Sequence, residues 1–194
     1  MFERFSREAR AAVVRARERA AEAASPQVLP EHLLLALRHR DDDVGRYLVD
    51  RLAEESTLAE RFGRVRRRAG ITSADAQALE GLGIDVDHVV EAVERVHGEN
   101  ALVGDRAGSW RRKTTPGTPR RTTPHIPLAA ESKQVLVQCL KETAAVRDRR
   151  TRTEHLLLAL LATSAVVSDV ASEDGVDHLD ARRALRGPGQ TRAG

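Results

Sequence analysis

Apolar residues return at three- and four-residue steps from the start of the chain, at Phe2, Phe5, Ala9, Val13, Ala16 and Ala20, with arginine and glutamate between them. That spacing predicts one amphipathic helix over about residues 3 to 23, with Ser6 near its start. Ser25-Pro26 and Pro30 then interrupt it, because proline has no amide hydrogen and drives the preceding residue out of the helical region. A second helix starts at about Glu31. Its four leucines and Ala36 leave no polar face after the first turn, so other helices have to surround it. Val44, Tyr47, Leu48 and Leu52 predict a third helix, opened by Asp41-Asp42-Asp43, whose charges suit a helix N-terminus. Leu58, Phe62 and Val65 predict a fourth, ending near Gly70.

The pattern then repeats. Glu31-His32-Leu33-Leu34-Leu35-Ala36-Leu37 recurs letter for letter as Glu154-His155-Leu156-Leu157-Leu158-Ala159-Leu160, a shift of 123 positions. Without a gap, the same shift lays Phe5 on Leu128, Glu8 on Glu131, Val13 on Leu136 and Ala16 on Cys139. The second copy therefore predicts a helix from about Ala129 to Val146, an apolar helix from Thr153, and short helices near Ala165 to Ala171 and Asp177 to Leu185. Each copy reads as a four-helix cluster built around its leucine-rich helix. Between them, Ser73 to Leu82 and Asp85 to His97 carry Leu79, Leu82, Val86, Val89, Val90, Val93 and Val96 at helical spacing. The expected organisation is a first repeat at 1–70, an inserted helical segment at 71–97, a mobile Gly/Pro/Thr/Arg-rich linker at 98–126, a second repeat at 127–186 and a frayed tail at 187–194.

Composition agrees with an all-α fold: aromatic residues are 3% of the 194, and alanine, leucine, arginine and glutamate dominate. The balance of 32 basic and 29 acidic residues leaves a net charge of only +3, so charge argues for nucleic acid only through local clusters. Those are Arg64, Arg66, Arg67 and Arg68, and Arg111, Arg112, Lys113, Arg120 and Arg121 around Trp110. They read either as solvated surface or as contacts to a phosphate backbone, and a nucleic-acid-binding regulator is the alternative function. None of the three lysines follows a glycine, so no phosphate-cradling loop of the P-loop ATPase kind is present. The lone Cys139 falls at a core-facing position with no base in sight, which reads as a structural thiol. The charged N-terminus is not a signal peptide, no stretch is apolar enough to span a membrane, and the expectation is a cytoplasmic protein.

Neighbouring helical residues point about 100° apart, so Glu31-His32 and Glu154-His155 do not each converge on one metal ion, and the histidines read as packed or hydrogen-bonded at a helix start. No metal, cofactor or catalytic residue is expected. Glu31 and Glu154 have two readings: complementing the helix dipole, or accepting a guanidinium in bidentate fashion.

The start MFERFSREARAAVVRARERA, the segment PEHLLLAL and its second occurrence TEHLLLAL resemble the Clp N-terminal repeat domain that fronts ClpA- and ClpC-type AAA+ unfoldases. The inserted segment resembles that of stand-alone actinobacterial members without ATPase rings. The resemblance implies a pseudo-twofold helical bundle that binds Clp unfoldase or protease components, adaptors, substrate peptides or small cyclic peptides, as an accessory, adaptor or decoy of a Clp system. It places ligand contacts at Phe5, Ser6, Glu8, Glu31, Leu128, Thr153 and Glu154. In ClpC-type members the glutamate of this motif is associated with phosphoarginine. Here the family's F-T-x-R-A element reads Phe5-Ser6-Arg7-Glu8-Ala9, and Leu128-Ala129-Ala130-Glu131-Ser132 in the second copy, so a phosphate meets a carboxylate where the family offers a cation.

Overall fold

The computed structural model describes residues 3–98, 101–102 and 126–185. Among them are ten helices: α1 (Arg7–Glu22), α2 (Pro30–Arg38), α3 (Asp43–Arg51), α4 (Glu55–Arg67), α5 (Ser73–Gly81), α6 (Val86–His97), α7 (Ala130–Ala145), α8 (Thr153–Thr163), α9 (Ala165–Ser172) and α10 (His178–Leu185). Every helix read from the hydrophobic pattern is present, within a few residues of its expected ends. The expected tail and most of the expected linker, with Trp110 and the basic cluster around it, lie outside the described residues.

Local chemistry sets the boundaries. The Ser6 hydroxyl caps α1 by accepting the Ala9 N–H at 3.1 Å, and the Asp42 carboxylate caps α3 by accepting the Gly45 N–H at 2.9 Å. At the start of α2, His32 Nδ1 accepts the Leu29 N–H at 2.9 Å, and His155 Nδ1 does the same for the Arg152 N–H at 3.1 Å at the start of α8. The histidine of each E-H-L-L-L-A-L segment is thus a capping group, as expected of a histidine at a buried helix start. Helix α1 ends with Ala24 in the left-handed region, φ 49°, and α7 ends with Arg147 at φ 56°, positions related by the same 123-residue shift.

The leucines of α2 and α8 are the centre of one shared core, with Leu33, Leu34, Leu37, Leu156, Leu157 and Leu160 fully enclosed. Burial of each contributes about 1.5–3 kcal/mol. The two copies do not form separate clusters. Helix α4 of the first packs on α9 of the second, and α3 packs on α8 and α10. Polar pins accompany this crossing: Tyr47 donates its hydroxyl to Asp180 at 2.8 Å, the Ala53 N–H donates to Asp174 at 2.8 Å, and Arg61 pairs with Glu173 at 2.9 Å and Asp174 at 2.8 Å.

Two short parallel bridges cross over as well, Phe5 with Thr151 and Val28 with Leu128. The repeat shift exchanges one for the other, so each copy's N-terminal segment is held by the segment that precedes the partner copy's leucine-rich helix. The hairpin α5–α6 stands outside this core. Only Val86 and Val90 are buried on it, and ion pairs Arg67–Glu94 and Arg68–Asp87 tie it to the end of α4.

Candidate functional site

The bridge between Phe5 and Thr151 sets the start of α1 beside the loop that leads from α7 into α8. Between them is an open groove of about 710 Å³ lined by Ser6, Glu8, Asp42, Arg147, Asp148, Arg149, Arg150, Arg152, Thr153 and Glu154. It brings together Ser6, Glu8, Thr153 and Glu154, four of the seven residues expected at a ligand site, two from each copy.

The other three are elsewhere. Phe5 is 2% exposed, its ring sealed in the core, and Leu128 packs against that same core. Phe5 serves the groove through its backbone bridge to Thr151, and the bridge of Leu128 is to Val28, away from the groove. Glu31 is buried and already engaged. Arg66 donates Nε to Glu31 Oε1 at 3.0 Å and a terminal nitrogen to Oε2 at 2.6 Å, the bidentate geometry of one of the two readings of this glutamate, with a guanidinium from the protein itself. The same terminal nitrogen lies 3.7 Å from Glu131.

Glu154 has the opposite environment. Its carboxylate is about half-buried, and its ion pair among the described residues is a 3.8 Å approach of Arg152. Desolvation raises its pKa first of all, and Asp148, Asp42 and Asp43 push the same way against Arg152. Glu8, exposed at the first turn of α1, is held below the ordinary carboxylate range by its own backbone N–H and the Ser6 hydroxyl. The groove therefore contains one carboxylate stabilised as an anion, Glu8, and a second, Glu154, whose counter-ion stays at 3.8 Å.

The arginines on its rim were not among the candidates. Arg147, Arg149, Arg150 and Arg152 are four cations within six residues, Arg147-Asp148-Arg149-Arg150-Thr151-Arg152, and that density is the signal by which the sequence could have revealed them. With Glu8, Asp42, Asp148 and Glu154 they give a lining of four positive and four negative groups.

Asp148, Glu154 and His155 each present a ligand atom within 4.8 Å of the others, a spacing that a metal ion would suit. The histidine argues against one. Its Nδ1 lone pair accepts the Arg152 N–H, so the ring proton sits on Nε2, 3.5 Å from Asp148, and no nitrogen lone pair is left for coordination. Cys139 is fully buried, and burial pushes its thiol up to about 12, far from a thiolate nucleophile.

The runner-up reading loses part of its support. Arg66, Arg67 and Arg68 are spent on Glu31, Glu94 and Asp87, so this cluster does not present the run of unpaired cations that a phosphate backbone needs. No single helix among the described residues is long and apolar enough to cross a membrane. Helices α8 and α9 together approach that apolar length, but they are bent by 97°, and their leucines and valines belong to the core.

No family model matches the chain. A curated relative, the chaperone protein ClpB of Mycobacterium leprae, is 37% identical over 86 residues, covering 42% of this chain; the match spans about a tenth, 10%, of ClpB's own length. Among solved structures, the N-terminal domain of Hsp104 from Candida albicans aligns with 98% of this chain and 95% of its own, at a TM-score of 0.51 and 22% identity. A chain solved in structural work on a malarial protein secretion system aligns with 94% of this chain and 92% of its own, at a TM-score of 0.55 and 15% identity. The duplicated E-H-L-L-L-A-L helices and the bundle they organise thus have the fold of the Clp N-terminal domain family.

Proposed function

We propose that the chain is a non-catalytic docking module of a Clp system, and that the groove between α1 and the α7–α8 loop receives a peptide segment of a substrate protein or adaptor. The observation that carries this reading is the placement of Ser6, Glu8, Thr153 and Glu154 around one open groove, with Glu154 half-buried and short of a counter-ion. Leaving a carboxylate in that state is unfavourable, and a cationic side chain entering from outside relieves it. The lining of mixed sign favours a segment that carries both charges. Its basic group lies toward Glu154, Glu8 and Asp42, and its acidic group toward Arg149, Arg150 and Arg152. The rim arginines supply cations that the F-T-x-R-A element lacks, so acidic or phosphorylated groups meet them rather than Glu8.

Chemical-shift mapping with the peptide acetyl-Asp-Arg-Gly-amide tests the reading. Shifts confined to the first turn of α1 and residues 147–154, lost in Glu154→Gln and with citrulline in place of the peptide's arginine, are expected. Shifts scattered over the surface, or unchanged by Glu154→Gln, would sink it. Affinity capture from the native cell tests the partner class: Clp components or their substrates are expected, and recovery of nucleic acid alone would favour the alternative.

A further inference from the structure

The repeat shift carries the groove's two glutamates onto a second pair, Glu8 onto Glu131 and Glu154 onto Glu31. Glu31 is held bidentately by Arg66, at 3.0 and 2.6 Å, and Glu131 lies 3.7 Å from the same guanidinium. A carboxylate oxygen of Glu131 is buried without a hydrogen-bond partner, facing that guanidinium across a gap. Around the open groove, by contrast, Glu154 has, among the described residues, only Arg152 at 3.8 Å.

We infer that Arg66 is a resident occupant of a second guanidinium site, so that a duplicated fold with two equivalent carboxylate pairs offers one open site and one closed by its own chain.

Four observations converge on this. Arg66 belongs to the last turn of α4, outside both glutamate pairs, and reaches Glu31 across 35 residues of sequence, so the contact is tertiary rather than a helix-surface pair. It is the only cation of Arg64, Arg66, Arg67 and Arg68 to reach that pair: Arg64 approaches Glu173, Arg67 pairs with Glu94 and Arg68 with Asp87. Carried on without a gap, the repeat shift lays Arg66 on Gly189, beyond the end of the second repeat, so the sequence has no arginine at that register position. The loops beside the two pairs differ in the same sense. Ser25, Pro26, Gln27 and Leu29 stand where the open groove has Asp148, Arg149, Arg150 and Arg152. The closed site thus has a neutral wall and a cation held bidentately, and the open one a charged wall and, among the described residues, only the 3.8 Å approach of Arg152.

The inference rests on the reading of the open groove as a docking site, and counting sites separates the two. With acetyl-Asp-Arg-Gly-amide as probe, the wild-type chain is expected to bind one equivalent, lost in Glu154→Gln. Arg66→Gln is expected to bind two, the added one mapping to residues 129–131 and the start of α2 and lost in Arg66→Gln/Glu31→Gln. One equivalent in Arg66→Gln, still lost with Glu154→Gln, overturns the inference and leaves the groove standing. No binding to wild type but one equivalent to Arg66→Gln, lost with Glu31→Gln, overturns the groove and leaves standing only the assignment of Arg66 as occupant of the second site. Binding to neither overturns both. Should Arg66→Gln fail to fold, the wild-type chain decides. The Arg66 Nε–H is expected to exchange with solvent at least tenfold more slowly than that of Arg64, and equal rates overturn the claim that Arg66 is held in place.

Discussion

Helices α1 and α7 begin with the same backbone and different caps, which makes a controlled experiment. Ser6 has φ −61° and ψ 164°, and Ala129, its counterpart under the repeat, has φ −60° and ψ 160°. Ser6 accepts the Ala9 N–H; Ala129 has no acceptor, and no side-chain cap serves the N-terminal amides of α7. Because the extended conformation that a capping serine needs is already adopted at 129, Ala129→Ser requires no backbone change. The new hydroxyl is then placed to accept the Ser132 N–H, and the two positions are similarly buried, at 6% and 8% exposure. A cap of this kind is worth ~1 kcal/mol, within a range of about 0.5–2 kcal/mol. For a chain of this size that corresponds to a rise in Tm of roughly 2–4 °C. Urea denaturation followed by circular dichroism should show Ala129→Ser with a higher midpoint and an unchanged slope, Ser6→Ala with a lower midpoint by a similar amount, and the double variant near wild type within about 0.5 kcal/mol. If Ala129→Ser is neutral while Ser6→Ala is costly, the two helix starts are not equivalent, and the repeat-based reasoning about the two glutamate pairs weakens with them.

Other outcomes follow from single residues. Glu154 has its pKa raised above the ordinary 4.5, so the native state holds more protons than the unfolded chain just above that pH, and the stability this group contributes is lost as pH rises through its native value; Glu154→Gln should be as stable as wild type or more so at pH 7 while losing peptide binding, and a destabilised variant would mean the carboxylate is structural. His32 and His155 are shifted the other way, below 6.5, chiefly by burial, so unfolding takes up protons and stability should fall as pH drops below about 6.5 in melts from pH 7 to 5; a flat profile in that window would contradict their buried, neutral capping role. Gly45→Ala, worth a gain of ~1 kcal/mol on an open helix, should instead destabilise by about 1–3 kcal/mol or more, because the added carbon meets the Arg40 carbonyl oxygen at 1.8 Å; a rise in Tm would disprove that approach. The Cys139 thiol should leave Ellman's reagent unreacted at pH 8 until urea unfolds the chain, and rapid labelling of the native protein would refute its burial.

Much of the architecture was legible because its signals are local. The leucine run of α2, the proline at residue 30 and the acidic opening of α3 each act within a few positions, and the repeated heptapeptide announced the duplication. What stayed hidden depends on which elements meet. The reach of Arg66 to Glu31 spans 35 residues and the packing of α4 on α9 joins the two copies, and neither leaves a periodic trace. The groove itself was half legible. Ser6, Glu8, Thr153 and Glu154 stood out by resemblance, but the arginines of the α7–α8 loop acquire meaning only once that loop lies beside the start of α1, which the Phe5–Thr151 bridge brings about.

That crossing of the two bridges also bears on how the chain is made. The amide of Ser6 donates to the carbonyl of Thr151, and that of Thr151 to Arg4, so the segment before α1 waits for one made well over a hundred residues later. At about 5–20 residues per second, α2 is complete on the order of ten seconds before its partners in the second copy emerge. During that interval its four leucines have α1 and α3 but none of α7, α8 and α9 to shelter them, which marks the nascent first half as a natural client for a holding chaperone.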